Sequence, residues 1–181
     1  MNIADAFEKA QHKTRVLVAG NEVKQLLKNI LNFHGKNFDE ITETSTDTGN
    51  DFALYSTQDL IAGSDFRPNI ALITTPVNDE ESQLLVSKMT SGGVLIYPEN
   101  HVIFSEALQQ TSNYFRQLPY STSEYSQKDG YFIAKTSLGE LPLEIQKSDT
   151  MMHLEGLRLC CQQFGLMEEE FYEALLAVSS M

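Results

Sequence analysis

The sequence predicts an α/β domain of three layers, with a mainly parallel central sheet, helices on both faces and a small β edge near residues 114–146. Two observations carry this. The apolar pattern switches repeatedly between strand-like runs and helix-like stripes, the mark of strands alternating with helices. The strand candidates are also short, β-branched and apolar almost throughout, which fits strands buried on both faces of a parallel sheet. The chain has 181 residues, 41% of them hydrophobic. A chain of that size buries roughly 70% of its unfolded surface, enough for one ordinary core. We therefore expect one domain over 1–181, with 1–13 as an N-terminal helix or extension.

The elements follow in order. Residues 2–11 suit a short helix with Ile3 and Phe7 on one face, and RVLVAG (15–20) is a strand ending in Gly20. Val23, Leu26, Leu27, Ile30, Leu31 and Phe33 form a broad apolar stripe on a helix over 22–33, stopped by Gly35. The polar, turn-forming stretch 42–51 is a loop. FALYS (52–56) and NIALITT (69–75) are buried strands joined by a polar connection containing Gly63 and Pro68. Asn78 or Asp79 caps a helix over 80–91, ended by Gly92 and Gly93. VLIYP (94–98) is a fourth strand, with a helix near 101–111. From Tyr114 to Ile145 shorter strands (YFRQLPYS, YFIAKTS, LPLEIQ) turn at Lys128-Asp129-Gly130 and at Gly139. Helices over 150–164 and 168–178, joined at Gly165, close the chain.

Charge excludes some functions. Twenty-five Asp and Glu against 13 Lys and Arg give a net charge of -12. Nucleic-acid binding draws mainly on cation-to-phosphate contacts, so neither nucleic acid nor an anionic membrane is an expected partner. No apolar stretch is long enough to span a bilayer, and MNIADAFEKAQHKTR has no apolar secretory core. The cysteines, Cys160 and Cys161, are adjacent within an apolar helical pattern, which suits buried thiols in a reducing cytoplasm.

Candidate chemistry is sparse. VLVAGNEVK (16–24) places Gly20 and Lys24 at a strand-to-helix junction, where backbone N–H groups can cradle phosphate. Val23 stands where a second glycine is needed, and Gln25 where a hydroxyl would meet magnesium. By itself the junction reads as an ordinary βα turn. Asp79, Glu80 and Glu81 follow a strand end, where α/β sheets place ligands and where carboxylates can hold a divalent cation. Helix capping accounts for the same acids without a metal. His12, His34, His101 and His153 are scattered with no metal-ligand spacing and read as surface or packing residues.

Read in order, residues 14–178 resemble the central, ATP-binding domain of the Mur ligases. The nearest branch is UDP-N-acetylmuramate–L-alanine ligase and the related murein tripeptide ligase. LPLEIQKSDTMMHLEGLRLCCQQFGLMEEEFYEAL (141–175) carries the likeness most strongly. The family shows there an apolar strand, Gly-x-His-Asn, a helix, a Gly-Ile/Val turn and a closing Phe-Tyr-Glu-Ala helix. LLKNILNFHGKNFDEI (26–41), RPNIALITT (67–75) and SGGVLIYPEN (91–100) match in sequence order.

The resemblance implies a P-loop-type domain from ligases that activate a carboxylate with Mg-ATP and join it to an amine. It also implies that the functional groups are largely replaced. The family's phosphate loop falls on GNEVKQ, keeping Gly20 and Lys24 only. Its magnesium-binding Glu falls near Ser56, its Asp-His pair on Asp79 and Glu80, and its nucleotide-contacting His-Asn pair on Asp149 and Thr150. Gly20, Lys24, Asp149 and Thr150 are thus the vestigial nucleotide-binding set, and Asp79 and Glu80 the vestigial metal pair. The family's two flanking domains have no counterpart in these 181 residues. The expectation is a non-catalytic, cytoplasmic pseudoenzyme with a binding or regulatory role in bacterial peptidoglycan metabolism. No cofactor is expected, and the partner is a cell-wall enzyme or a second copy. The alternative is a residual Mg-ATP binder, or a fragment of an ATP-dependent UDP-N-acetylmuramate–amino acid ligase.

Overall fold

The computed structural model describes residues 3–145 and 148–178. The chain runs through α1 (Ile3–Lys9), β1 (Thr14–Ala19), α2 (Lys24–Phe33), β2 (Asp39–Glu40), β3 (Phe52–Thr57) and α3 (Leu60–Asp65). It continues through β4 (Ile70–Ile73), α4 (Asp79–Lys88), β5 (Val94–Pro98), α5 (Val102–Gln110) and β6 (Arg116–Tyr120). A hairpin region, β7 (Tyr125–Lys128), β8 (Tyr131–Thr136) and β9 (Gly139–Leu143), leads to α6 (Ser148–Met152), α7 (Leu154–Gln163) and α8 (Glu168–Val178). The six strands of the main sheet stand in the order β2-β3-β1-β4-β5-β6 and pair in parallel throughout.

The apolar run of β1 has a direct cause. Val16 and Val18 point into a core shared with α2, α7 and α8, while Leu17 and Ala19 point into a second core shared with α1, α3, α4 and α5. All four are fully buried, so the strand reads as continuous apolar sequence rather than as alternation. The predicted three-layer α/β architecture is present.

Four local differences have physical reasons. α3 occupies part of the predicted polar connection: Asp59 caps it, accepting from Ala62 N at 3.1 Å, and Gly63 lets it approach Leu17 closely. β6 belongs to the main sheet, not to the small edge, because α5 carries the chain across to pair it in parallel with β5. Its mostly exposed RQLPY sequence hid this. The predicted strand 131–137 pairs not only with β9 but also with β7, through a turn in which Asp129 (φ 53°) and Gly130 (φ 87°) are both left-handed. The helix predicted over 150–164 breaks at His153 into α6 and α7. The predicted segments 2–11 and 141–146 extend onto Asn2 and Gln146, which lie outside the described residues.

The 42–51 loop is irregular, as expected, but anchored. Buried Lys13 donates to Asp39 Oδ2, Asp47 Oδ1 and the Asn50 carbonyl, each at 2.7 Å. Burial pushes the Asp39 carboxyl up, but donors on Lys13, Thr48 and Asn50 outweigh this and hold it at about 2.

Candidate functional site

Strand order locates the site. From β1 the chain leaves toward β3, and from β4 it leaves toward β5, so the order reverses between β1 and β4. Ligands of open α/β sheets bind beyond the carboxyl ends of strands at such a point. A cleft of about 350 Å³ opens there, lined by the turn after β1 (Glu22), the segments after β4 and β5 (Thr74, His101), Tyr120 at the end of β6, and Asp149 and His153.

The β1–α2 turn forms the floor. Gly20 has φ 123°, and a Cβ there would lie 2.0 Å from Thr74 Oγ1 and 2.7 Å from Glu22 Oε2, so only glycine fits. The Glu22 carboxylate folds back across the turn to within 3.2 Å of Thr74 Oγ1. The single Thr74 proton is contested, since the Ala19 carbonyl lies 3.1 Å away. Lys24 opens α2, but its ammonium sits 3.3 Å from the Glu40 carboxylate, which Lys28 also meets at 2.6 Å. Gln25 donates to Asn29. Thr150 donates its hydroxyl to the Glu22 carbonyl at 2.9 Å, tying α6 to the turn.

The opposite wall is an aromatic pair. Tyr120 donates its hydroxyl to the Ile73 carbonyl at 3.0 Å, and His153 Nδ1 lies 2.8 Å from the phenol oxygen. With the phenol proton on the Ile73 carbonyl, a hydrogen bond between Tyr120 and His153 takes the Nδ1-protonated tautomer as its donor. Burial, and then the nearby Glu22 charge, push the Tyr120 phenol upward, keeping it protonated. His153 is pushed down by burial, against the opposing pull of Glu22 and Asp149 and with help from His101. Three groups, Glu22, His101 and Asp149, therefore act electrostatically on this imidazole. Among the described residues, His101 Nδ1 is the buried side-chain atom without a hydrogen-bond partner, and burial pushes His101 down as well.

The sequence matches no family model, and a search of curated proteins gives no match. Solved structures do match. The structure is similar to UDP-N-acetylmuramate:L-alanyl-gamma-D-glutamyl-meso-diaminopimelate ligase from Neisseria meningitides, with a TM-score of 0.74, 11% identity, and coverage of 97% of this chain and 69% of that one. It is similar to MurF ligase from Thermotoga maritima in complex with ADP, with a TM-score of 0.70, 12% identity, and coverage of 97% and 51%. The protein has a Mur-ligase-like fold. E. coli FolC in complex with ADP shares it, with a TM-score of 0.61, 12% identity, and coverage of 97% and 60%. The Mur-ligase-like chain thus spans about half the length of the MurF structure.

The residues of this Mur-ligase-like domain do not fit a magnesium-bound triphosphate. Among the described residues no Lys or Arg lines the cleft, whose formal charges are the carboxylates of Glu22 and Asp149. Lys24 faces Glu40, and the position after it offers an amide instead of a hydroxyl. Asp79 and Glu80 lie exposed in the first turn of α4, outside the cleft wall. That helix is closed by a capping box of Asn78 and Glu81, whose carboxylate accepts from Asn78 N at 2.9 Å. Among the described residues no three His, Cys, Asp or Glu side chains converge as a metal site.

The Mur-ligase-like cleft therefore gathers Asp149 among the sequence candidates, with Gly20 and Thr150 bonded beneath it, and leaves Lys24, Asp79 and Glu80 outside. It adds Glu22, Thr74 and Tyr120, which were not site candidates, and His101 and His153, which the sequence reading took as surface or packing residues. His12 and His34 are packing or surface groups, His34 Nε2 lying 2.8 Å from the Glu170 carbonyl. His101 follows β5 directly, and its place at a parallel strand's carboxyl end was the available signal.

Proposed function

We propose that this chain is a non-catalytic Mur-ligase-like domain with a binding or regulatory role tied to peptidoglycan metabolism in the cytoplasm. Its partner in this reading is a cell-wall enzyme or a second copy of the chain. One observation carries the loss of chemistry: the Glu22 carboxylate lies over the β1–α2 turn while Lys24 is committed to Glu40. Phosphoryl transfer relies on positioning and on cations that neutralise developing negative charge, and here the turn presents an anion instead. The link to cell-wall metabolism rests on the fold shared with muramate-peptide ligases.

Calorimetric titration of Mg-ATP into the wild type and into Lys24→Ala tests the reading. We expect no saturable heat with either protein at millimolar nucleotide, and no ATP turnover. Saturable binding by the wild type that is lost in Lys24→Ala overturns it in favour of a residual nucleotide binder.

A further inference from the structure

We propose that a cavity at the amino-terminal end of the main sheet binds a small organic monocarboxylate, held by the guanidinium groups of Arg15 and Arg67. The site lies at the opposite end of the strands from the strand-order cleft, so it stands whether or not that cleft takes a nucleotide.

The cavity measures about 470 Å³, within the range of small-molecule sites. It opens between α1 and the turn that joins α3 to β4, over an apolar floor of Phe7 and Phe66. Arg15, the second residue of β1, is fixed in its wall. Its Nε donates to the Arg67 carbonyl at 2.9 Å, Nη1 to the Gln11 carbonyl at 2.7 Å, and Nη2 to Thr90 Oγ1 at 2.9 Å. These neutral acceptors take three of the five guanidinium donors and none of the charge, leaving one donor on each terminal nitrogen. A carboxylate uses such a pre-set guanidinium well, because it supplies both acceptors and the counter-charge.

The surrounding charges are an independent observation. Seven described Lys and Arg side chains are buried or half-buried, and Lys13, Lys24, Lys28, Lys88 and Arg158 among them each meet a carboxylate. Arg15 meets none and instead has a like charge beside it. Arg67 lines the same cavity and, after burial, pushes the Arg15 guanidinium down. Arg67 is held there in a left-handed backbone (φ 49°), its carbonyl accepting from Arg15 and from Thr90 Oγ1 at 3.0 Å. Two guanidinium groups fixed side by side repel until an anion joins them. The same wall limits that anion's charge. Asp65 is paired with Lys88, whereas Glu8 is exposed and, among the described residues, pairs with neither guanidinium. The two arginines against Glu8 leave a single net positive charge, which suits one carboxylate and disfavours a polyanion.

The test is an amide chemical-shift titration of the full chain at low ionic strength, with benzoate as probe and benzamide and benzylamine as its neutral and cationic counterparts. Arg67→Asn removes one guanidinium and keeps a residue that tolerates the left-handed backbone. Glu8→Gln removes the opposing carboxylate. Lys128→Gln, on exposed β7, controls for net charge. We expect benzoate to shift the amides of residues 8–15 and 65–67 saturably, and the two counterparts to leave them unshifted. Benzoate binding should weaken about tenfold in Arg67→Asn, the loss of one charged hydrogen-bond partner, tighten in Glu8→Gln and stay unchanged in Lys128→Gln. The dispersed amide spectrum of each variant confirms that it is folded. Absence of a saturable benzoate shift at these amides overturns the inference. So does equal binding of benzamide, undiminished binding by Arg67→Asn, or an equal loss in Lys128→Gln.

Discussion

The Tyr120 hydroxyl and His153 Nδ1 lie 2.8 Å apart, and this contact ties the end of β6 to the α6–α7 break. The same hydroxyl reaches the Ile73 carbonyl at the end of β4, so one side chain joins two strands and a helix junction. Gly156 makes room for it, since a Cβ there would lie 2.5 Å from Tyr120 Cε1. Tyr120→Phe leaves the His153 donor and the Ile73 acceptor without that partner and should cost about 1–3 kcal/mol. Gly156→Ala should cost a similar amount, about 1–3 kcal/mol, by overpacking the ring. Urea denaturation measures both, and unshifted midpoints would contradict the arrangement.

Lys13 makes a second, distant prediction. Its ammonium and the Asp39 carboxylate are each about 3% exposed and 2.7 Å apart. Lys13→Met leaves Asp39 buried without its cation, which typically costs about 3–5 kcal/mol. A Lys13→Met/Asp39→Leu double variant should recover much of that loss, because it removes both buried charges. A double variant no more stable than the single one would show that packing, not charge, dominates.

Stability should fall with acid in two windows. His153 and His101 are held below their ordinary value chiefly by burial, so the unfolded chain binds protons more readily. Stability is then full above roughly pH 6.5 and declines as pH drops through the lower folded values. His153→Asn should flatten the Tm profile between about pH 7 and 5. Asp39 titrates near 2 when folded, so its contribution is present above about pH 4 and is lost as pH falls toward 2. A Tm profile with the opposite slope near pH 6 would refute the histidine assignment.

The fold was legible where burial is two-sided or helical. β1, β4 and β5 announced themselves as apolar runs because both of their faces are buried, and α2 and α8 as stripes because each packs one face. α3 was hidden because its glycine serves a close approach to Leu17, a contact no local pattern records. β6 was legible as a strand, but its place in the main sheet was hidden because an edge strand carries few buried residues. The site was legible only in part. Gly20 marks its turn in sequence, but the Glu22–Thr74 and Tyr120–His153 contacts join residues 52 and 33 positions apart. The commitment of Lys24 to Glu40 is likewise tertiary, so a cation at the phosphate-loop position said nothing of where its charge points.

Thermal unfolding of the wild type with and without Mg-ATP, beside Lys24→Ala, tests the central claim most directly. A specific site filled at 100 times its dissociation constant adds about 2.7 kcal/mol. For a chain of this length that raises Tm by roughly 5–10 °C. With Glu22 over the turn and Lys24 held by Glu40, the account predicts no shift in either protein at millimolar nucleotide. A rise of that size in the wild type that disappears in Lys24→Ala would contradict it.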